Sequence, residues 1–279
     1  MRRKYICTNG VVEVTQFVVG DKQIGGRKWH SAKTQEDKRD ENARQAVRMA
    51  ARILNCNYTK EDVLLTLTYS DEVWEEEFTG LDPDAVLEKA KDLLSKRIDK
   101  ARKESKKAGC VMKTFAVTSD MDGETGEVVR VHHHVVLTKE AEFALLGAWD
   151  FGLVHTEQLY RQDDYTPLAA YLLGQVRHRE GKKKYSSSRN MVKPKVEEQV
   201  LEEIPETEIR VQPGARVLDR TPYREGVTSQ YVRYKRKPRA AKRGGHKEGS
   251  EGYACGGADD RVEYAEGGSG YEFSKAAWN

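Results

Sequence analysis

Residues 111–137 of the chain, VMKTFAVTSDMDGETGEVVRVHHHVVL, carry a strand pattern from which the neighbouring elements can be placed. This stretch contains two runs rich in β-branched and apolar residues, and the turn residues Asp122-Gly123 lie between them. This combination of strand pattern and turn chemistry predicts an antiparallel hairpin. We expect its strands at 111–119 and 128–137, and the other predicted elements lie on either side of it along the chain.

The elements around the hairpin complete a recognisable order. Asp82 and Pro83 are good N-cap and first-turn residues for a helix that runs to about Lys107, and Gly109 then ends it. The other predicted elements are helices at 35–54, 139–149 and 168–178 and strands at 62–69 and 153–159. From residue 62 the order is β-α-β-β-α-β-α, whose first six elements are the split βαβ arrangement of a ferredoxin-like sheet. We therefore expect an α+β fold with an antiparallel central sheet and one appended helix.

Length and composition limit the domain organisation and the location of the protein. The chain has 279 residues, a length that allows one large domain or one domain with an appendage. Of these residues, 38% are apolar and 33% charged. We expect an N-terminal extension at 1–34, which includes a strand at 11–19, a main domain at 35–236 and a disordered tail at 237–279. No apolar run reaches the ~18–20 residues of a membrane span, and the basic N-terminus lacks a signal-peptide core. We expect a cytoplasmic protein without membrane contact.

Basic residues are concentrated in a few segments, although 48 Lys and Arg nearly balance 45 Asp and Glu. Residues 89–107 carry nine Lys and Arg, and residues 182–190 read KKKYSSSRN. Such clusters suit the phosphates and stacked bases of nucleic acid, whereas a solvated helix face and a flexible loop are the alternatives. The predicted contact residues are Lys103, Lys107, Lys183, Lys184, Tyr185, Ser188 and Arg189.

The histidines of the second hairpin strand are the sharpest chemical feature. Because side chains alternate along a strand, His132 and His134 share one face and His133 lies on the other. Two imidazoles on one face of a rigid strand can chelate a divalent metal, although a surface histidine cluster is the alternative. Asp120, at the end of the neighbouring strand, is the nearest candidate for a third ligand. Glu124, Glu127 and His155 remain open for that role.

A possible nucleophile lies in the last predicted helix, TPLAAYLLGQVRH, at residues 166–178. Tyr171 is in the middle of this helix, where a tyrosine ordinarily packs in the core or at its rim. Its hydroxyl becomes a nucleophile only when its target is polarised, and a metal on His132 and His134 can polarise a phosphate. Tyr160, Tyr165 and Tyr185 are the other tyrosines near this part of the sequence.

Taken together, these motifs resemble the HUH endonuclease superfamily, especially the rolling-circle replication initiators of bacterial plasmids and phages. Residues 64–69, LLTLTY, are similar to its first motif, His132-His133-His134 resembles its His-x-His motif, and Tyr171 matches the place of its single catalytic tyrosine. The resemblance covers about residues 35–195. Gly174 stands where the family has the Lys of Tyr-x-x-Lys, and Ser119-Asp120 stands where it commonly has Glu.

The resemblance implies that His132, His134 and Asp120 hold Mg²⁺ or Mn²⁺ while Tyr171 nicks single-stranded origin DNA. The products implied are a 5′-phosphotyrosyl link, which later rejoins the strand, and a free 3′-OH that primes replication in a bacterial cytoplasm. Because the sequence has no GxxxxGK[ST] motif, the implied partners also include a host helicase and a polymerase. The alternatives are a ferredoxin-like nucleic-acid-binding module without catalysis and an HUH relaxase or transposase.

Overall fold

The computed structural model describes residues 2–17, 34–159, 164–179, 181–201, 208–221 and 229–236. These residues form a mixed α+β fold with two antiparallel sheets of five strands each and five α-helices. The elements in chain order are β1 (Arg2–Cys7), β2 (Val11–Phe17), α1 (Gln35–Asn57), β3 (Val63–Leu67), α2 (Asp71–Phe78), α3 (Pro83–Lys107), β4 (Thr114–Met121), β5 (Val128–Leu137), α4 (Glu142–Leu146), β6 (Val154–Gln158), α5 (Thr166–Gly174), β7 (Ser186–Ser187), β8 (Lys195–Val200), β9 (Arg216–Arg220) and β10 (Ser229–Lys235). The tail predicted at 237–279 lies outside the described residues. Within the described ranges, no helix combines the length and apolar character needed to cross a membrane.

One sheet, which we call the histidine sheet, has the strand order β6-β3-β5-β4-β7. All neighbours in it are antiparallel, so β3 and β4 point the same way with β5 inserted between them. Helix α3 connects β3 to β4, and α4 connects β5 to β6. The antiparallel hairpin predicted around the Asp122-Gly123 turn is confirmed as the pair β4–β5.

The two faces of the histidine sheet bury separate apolar cores, because successive side chains point to opposite sides of a strand. Leu65 and Val135 pack with α3 and α4 on one face. Leu64, Phe115 and Val136 pack with α1 and α5 on the other face. The parity of a residue within its strand therefore determines which helix layer its side chain meets.

The long basic helix begins and ends where its sequence predicts. The Asp82 carboxylate accepts hydrogen bonds from the N–H groups of Asp84 and Ala85, at 3.0 Å each, and Pro83 occupies the first turn of α3. Gly109 follows the helix with φ of +74°, a left-handed conformation that stops helices at low steric cost. These end signals are local, which is why the sequence alone predicts them.

Other element boundaries differ from prediction. The strand predicted at 111–119 occupies Thr114–Met121, and the helix predicted at 168–178 occupies Thr166–Gly174. The helix predicted at 139–149 divides into a 3₁₀ turn at Lys139–Ala141 and α4, which ends at Leu146. Helix α2 was not predicted, because its eight residues are too few for a clear apolar period.

The second sheet, which we call the terminal sheet, has the strand order β8-β1-β2-β10-β9. Its first two strands come from the segment predicted as an extension at 1–34, and the strand predicted at 11–19 is observed at Val11–Phe17. Their neighbours β8 and β10 come from residues 195–235. The sheet therefore joins strands from both sides of the predicted boundary at residue 34.

Polar contacts link the terminal sheet to the helices on the histidine sheet. Arg52 of α1 donates two hydrogen bonds to the Glu13 carboxylate of β2, at 2.9 and 2.7 Å. Arg233 of β10 donates to the Thr166 hydroxyl in the first turn of α5 at 2.5 Å, and its guanidinium lies 3.6 Å from the Asp164 carboxylate. The start of α5 is thus held by a strand of the other sheet.

A close backbone approach at Gly152 yields a stability prediction. A Cβ at Gly152 would lie 2.4 Å from the Thr68 carbonyl oxygen and 2.7 Å from the Ser70 nitrogen, so Gly152→Ala must push these segments apart. We expect urea unfolding to show a loss of roughly 1–3 kcal/mol, the usual cost of overpacking. Gly174→Ala is the matched control, because a Cβ there meets nothing within 4 Å. Equal stability of the two variants would contradict the close approach.

Candidate active site

The alternation predicted for the three histidines is observed on β5. His133 is fully buried on the side of α3, whereas His132 and His134 belong to the side of α5. The His132 and His134 ring centroids are 4.9 Å apart. Two imidazoles are therefore adjacent on one face of the central strand, next to the helix that carries Tyr171.

The Nε2 atoms of both imidazoles converge on a single oxygen. The amide oxygen Oε1 of Gln175 lies 2.8 Å from His134 Nε2 and 3.4 Å from His132 Nε2. Gln175 directly follows α5 and is itself buried. Its backbone carbonyl accepts the N–H groups of Asp120 and Met121 at the end of β4, which fixes its position beside the histidines.

The hydrogen-bond partners of the ring nitrogens indicate which nitrogen of each imidazole carries a proton. His132 Nδ1 lies 3.1 Å from the Arg130 carbonyl oxygen, and because a carbonyl only accepts, this nitrogen carries the proton. His134 Nε2 lies 2.8 Å from Gln175 Oε1, and because an amide oxygen also only accepts, this nitrogen carries the proton of His134. His134 Nδ1 lies 3.1 Å from the Thr66 hydroxyl. Such partners on the outer ring nitrogen are typical of metal-binding histidines.

The electrostatics keep His134 in the form that binds metals. Burial lowers the pKa of His134 to about 4, and the neighbouring His132 lowers it further. His134 is therefore neutral at physiological pH, and only the neutral imidazole has a lone pair to donate.

A buried hydroxyl adds to the polar character of this pocket. Ser119 is opposite His132 in the β4–β5 register, on the same face as Phe115 and Val117. Its side chain is fully buried, and its Oγ has no hydrogen-bond partner among the described residues. Buried polar atoms normally have partners, so this hydroxyl adds an unsatisfied polar atom beside the histidines.

The predicted third ligand, Asp120, interacts with a different side chain. Its carboxylate accepts the backbone N–H of Arg177 at 3.2 Å and pairs with the Arg177 guanidinium at 2.9 Å. In the described part of the chain, no three His, Cys, Asp or Glu side chains form a group suited to a metal. The groups on this face that could hold a divalent ion are two imidazoles and the Gln175 amide oxygen, a nitrogen-and-oxygen set to which water could add further ligands.

The other open ligand candidates are farther from this pocket. His155 of β6 is opposite Thr66 of β3, which is itself opposite His134, so one strand separates the two histidines. Its Nε2 lies 3.3 Å from the Glu157 carboxylate. Glu124 and Glu127 are exposed in the β4–β5 turn.

Tyr171 lies beside the histidines and is open to solvent. Its ring centroid is 5.7 Å from that of His134, and 47% of the residue is exposed. Tyr165 is buried, which raises its pKa, and Tyr185 is stacked on Phe115 at 4.7 Å. Tyr160 lies outside the described residues. Of the described candidates, Tyr171 is thus the tyrosine that a dissolved phosphodiester and the histidine pair can reach together.

Apart from Tyr185, which is stacked on Phe115, the predicted nucleic-acid contacts fall into two groups. Lys184 donates to the carbonyls of Leu173 and Val176 at the end of α5, at 3.0 and 2.9 Å, and the Ser188 hydroxyl accepts the N–H of Thr114. These side chains hold the fold together. The exposed members of the set are Lys103, Lys183, Arg189 and Lys107, and the last of these pairs with Glu104 at 2.7 Å.

Sequence reasoning missed Gln175, although a signal for it exists. Gln175 follows Tyr171 by four residues, a spacing that places both on one side of a helix. A tyrosine and an amide one turn apart, after a His-x-His strand, is the pattern that could have identified it. That the amide reaches both imidazoles depends on how α5 packs on β5, which is tertiary information.

The third histidine of the motif forms a buried polar cluster on the opposite face. His133 Nε2 lies 2.7 Å from the Tyr69 hydroxyl, and its Nδ1 lies 3.0 Å from the Thr118 hydroxyl. Burial lowers the pKa of His133 to about 3, with His132 and His134 contributing. This histidine is therefore neutral in the folded protein.

Because of this shift, acid should destabilise the protein. The unfolded chain takes up a proton at His133 near its ordinary pKa of 6.5, whereas the folded chain does so only near 3. The stabilisation is therefore present above pH 6.5 and is lost as the pH falls toward 3. Between pH 7 and 5, urea unfolding in EDTA should show a loss of about 2 kcal/mol from this group. His133→Leu should reduce the pH dependence by that amount, and an unchanged dependence would contradict the assignment.

No family model, curated protein or solved structure matches the chain.

Proposed function

We propose that this chain is a metal-dependent DNA endonuclease and strand transferase that uses Tyr171 as its nucleophile. The observation that carries the proposal is the grouping of one exposed tyrosine with two imidazoles whose Nε2 atoms converge on an amide oxygen. A histidine pair that binds a metal beside a solvent-accessible hydroxyl can carry out transesterification at a phosphodiester.

The arrangement of the histidine sheet supports assignment to the HUH superfamily. Strands β3 and β4 run in one direction with β5 inserted between them, which is the arrangement expected for a split βαβ unit of ferredoxin-like type. The His-x-His motif is on the inserted strand, and the tyrosine helix α5 follows the last strand of that unit. Fold alone does not define function, so this support is secondary to the site.

In the proposed reaction, the Tyr171 oxygen attacks the phosphorus of a single-stranded DNA linkage. The Tyr171 hydroxyl gives up its proton to solvent as the tyrosyl O–P bond forms, and the P–O3′ bond breaks. The products are a 5′-phosphotyrosyl link and a 3′-oxygen that takes up a proton from solvent. His132, His134 and Gln175 would hold Mg²⁺ or Mn²⁺, which would supply charge neutralisation at the phosphate when bound. Attack by the released or another 3′-OH reverses the step and rejoins a strand.

The chain's own residues prepare this reaction. Neutral His134 keeps its lone pair, the Arg130 carbonyl and the Thr66 hydroxyl orient the rings, and the β4 backbone holds Gln175. Holding nucleophile and phosphate together can replace on the order of 7–11 kcal/mol of entropic cost in ideal cases. Positioning and charge neutralisation thus account for most of the expected rate.

The biological role proposed is rolling-circle replication initiation in a bacterial cytoplasm. The free 3′-OH would prime a host polymerase, and a host helicase would open the duplex. An HUH relaxase or transposase would use the same residues on another DNA substrate.

The test is a search for the covalent intermediate. Purified protein is mixed with a pool of labelled single-stranded oligonucleotides in Mn²⁺ or in EDTA and then run on a denaturing gel. We expect a labelled protein band that survives SDS and forms only with metal. If no band forms on any oligonucleotide while DNA still binds in EDTA, the protein is a binding module and the proposal is wrong.

A further inference from the structure

A long groove lies at the edge of the histidine sheet, away from Tyr171. It has a volume of about 850 Å³ and runs between α3 and the segment 183–190. Thr114, Ala116 and Thr118 of β4 lie along it. Its apolar lining, which includes Leu94, belongs to the core on the side of α3.

The groove and the candidate active site are on different faces of the sheet. Tyr171, His134 and Gln175 lie on the face covered by α5, whereas the groove is walled by α3. A phosphate at the Tyr171 hydroxyl therefore cannot lie in the groove at the same time. Whatever the groove holds is a different segment of ligand from the one that is cut.

The charge of the groove selects anions. One acid, Asp99, lines it, and that acid is paired with Arg102 at 2.5 Å. The cationic side chains along it are Lys91, Arg102, Lys106, Lys183, Lys184 and Arg189. Of these, Lys106, Lys183 and Arg189 are exposed and make no ion pair with any residue in the described ranges.

The length of the groove favours a chain of phosphates over a small anion. From Lys91 to Lys106 the axis of α3 rises by about 22 Å, at 1.5 Å per residue. Ser95 and Ser186 also line the groove, and their hydroxyls can donate to phosphate oxygens.

We infer that this groove is a second nucleic-acid site, which binds the phosphodiester backbone of a single-stranded segment other than the one presented to Tyr171. The inference rests on the proposed function only for the choice of nucleic acid as the polyanion. Lys106, Lys183 and Arg189 would contact that backbone, whereas Lys184 and Ser188 make hydrogen bonds within the protein.

The test measures binding in EDTA, where cleavage plays no part. A short fluorescein-labelled single-stranded oligonucleotide is titrated with the full chain by anisotropy over a series of salt concentrations. The groove variant combines Lys106→Glu, Lys183→Glu and Arg189→Glu. We expect at least about a tenfold loss of affinity and a fall in the log–log salt slope of about 2, because each lost single-strand phosphate contact removes about 0.7.

The control variant carries the same change in net charge at sites outside the groove. Its substitutions are Lys38→Glu, Arg44→Glu and Lys60→Glu, all at exposed positions that do not line the groove. We expect less than about a threefold loss of affinity from this variant, because these charges lie on elements that do not wall the groove and exposed charges are screened by salt. Equal losses in the two variants would mean that only net charge matters, which would overturn the groove assignment.

The groove inference and the proposed function fail separately. If wild-type protein forms the covalent adduct but the groove variant binds like the control, the groove inference alone is wrong. If no adduct forms and the groove variant still loses affinity selectively, the endonuclease proposal is wrong and the groove inference is supported.

Discussion

Tyr171→Phe is expected to abolish the covalent protein–DNA adduct and to leave DNA affinity within about twofold of wild type. The substitution removes only the nucleophilic oxygen, and the exposed ring of Tyr171 keeps its contact with His134. Loss of a covalent nucleophile typically costs at least about 10³-fold in rate. The denaturing-gel assay in Mn²⁺ measures the adduct, and anisotropy in EDTA measures the affinity.

The matched control for this prediction is Tyr185→Phe. The Tyr185 ring is stacked on Phe115, and a phenylalanine keeps that stacking while it removes the hydroxyl. We expect this variant to form the adduct at the wild-type level. Adduct formation by Tyr171→Phe, together with its loss in Tyr185→Phe, would move the nucleophile to the segment after α5 and contradict the proposed site.

The second large effect is expected from removing both imidazoles. The double variant His132→Ala/His134→Ala should lose Mn²⁺ binding in isothermal calorimetry and also lose metal-dependent cleavage, because two of the three proposed donors are gone. The His133 variant described above is the comparison, since its ring lies on the opposite face. Unchanged Mn²⁺ affinity in the double variant would end the chelation argument.

Two single variants then identify the third donor. Gln175→Ala removes the amide oxygen on which both Nε2 atoms converge, so we expect at least about a tenfold weaker Mn²⁺ affinity. Asp120→Asn should change that affinity by less than about threefold, because its carboxylate interacts with Arg177. Thermal unfolding checks that both variants remain folded. The opposite ranking of the two affinities would restore Asp120 as the ligand.

The parts of the fold that were predictable depend on local signals. The N-cap Asp82, the first-turn Pro83 and the left-handed Gly109 act within a few residues, and they determine the ends of α3. The alternation that separates His133 from its two neighbours is likewise a property of the strand itself. Helix α2 also has a local start signal, since the Ser70 hydroxyl accepts the N–H of Val73, but its eight residues are too few for a clear apolar period.

The parts of the candidate site that were not predictable depend on packing. A register shift in the β4–β5 pairing between Ser119 and Met121 interrupts the alternation at Asp120, and the carboxylate pairs with Arg177. The roles of Gln175 and Lys184 follow from where α5 ends against the sheet. A basic run in sequence does not distinguish a lysine that caps carbonyls from one that meets phosphates.

The terminal sheet also sets the order in which the protein can assemble during translation. Glu13 and Tyr231, which hydrogen bond across this sheet, are 218 residues apart, so β2 cannot complete its pairing until β10 has been synthesised. At 5–20 residues per second, Thr166 is made on the order of several seconds before Arg233. The first turn of the tyrosine helix therefore gains its anchor late. Strand pairing between residues so far apart in the sequence is slow to form. The nascent chain therefore contains Tyr171 before β10, whose Arg233 holds the start of α5, has been synthesised.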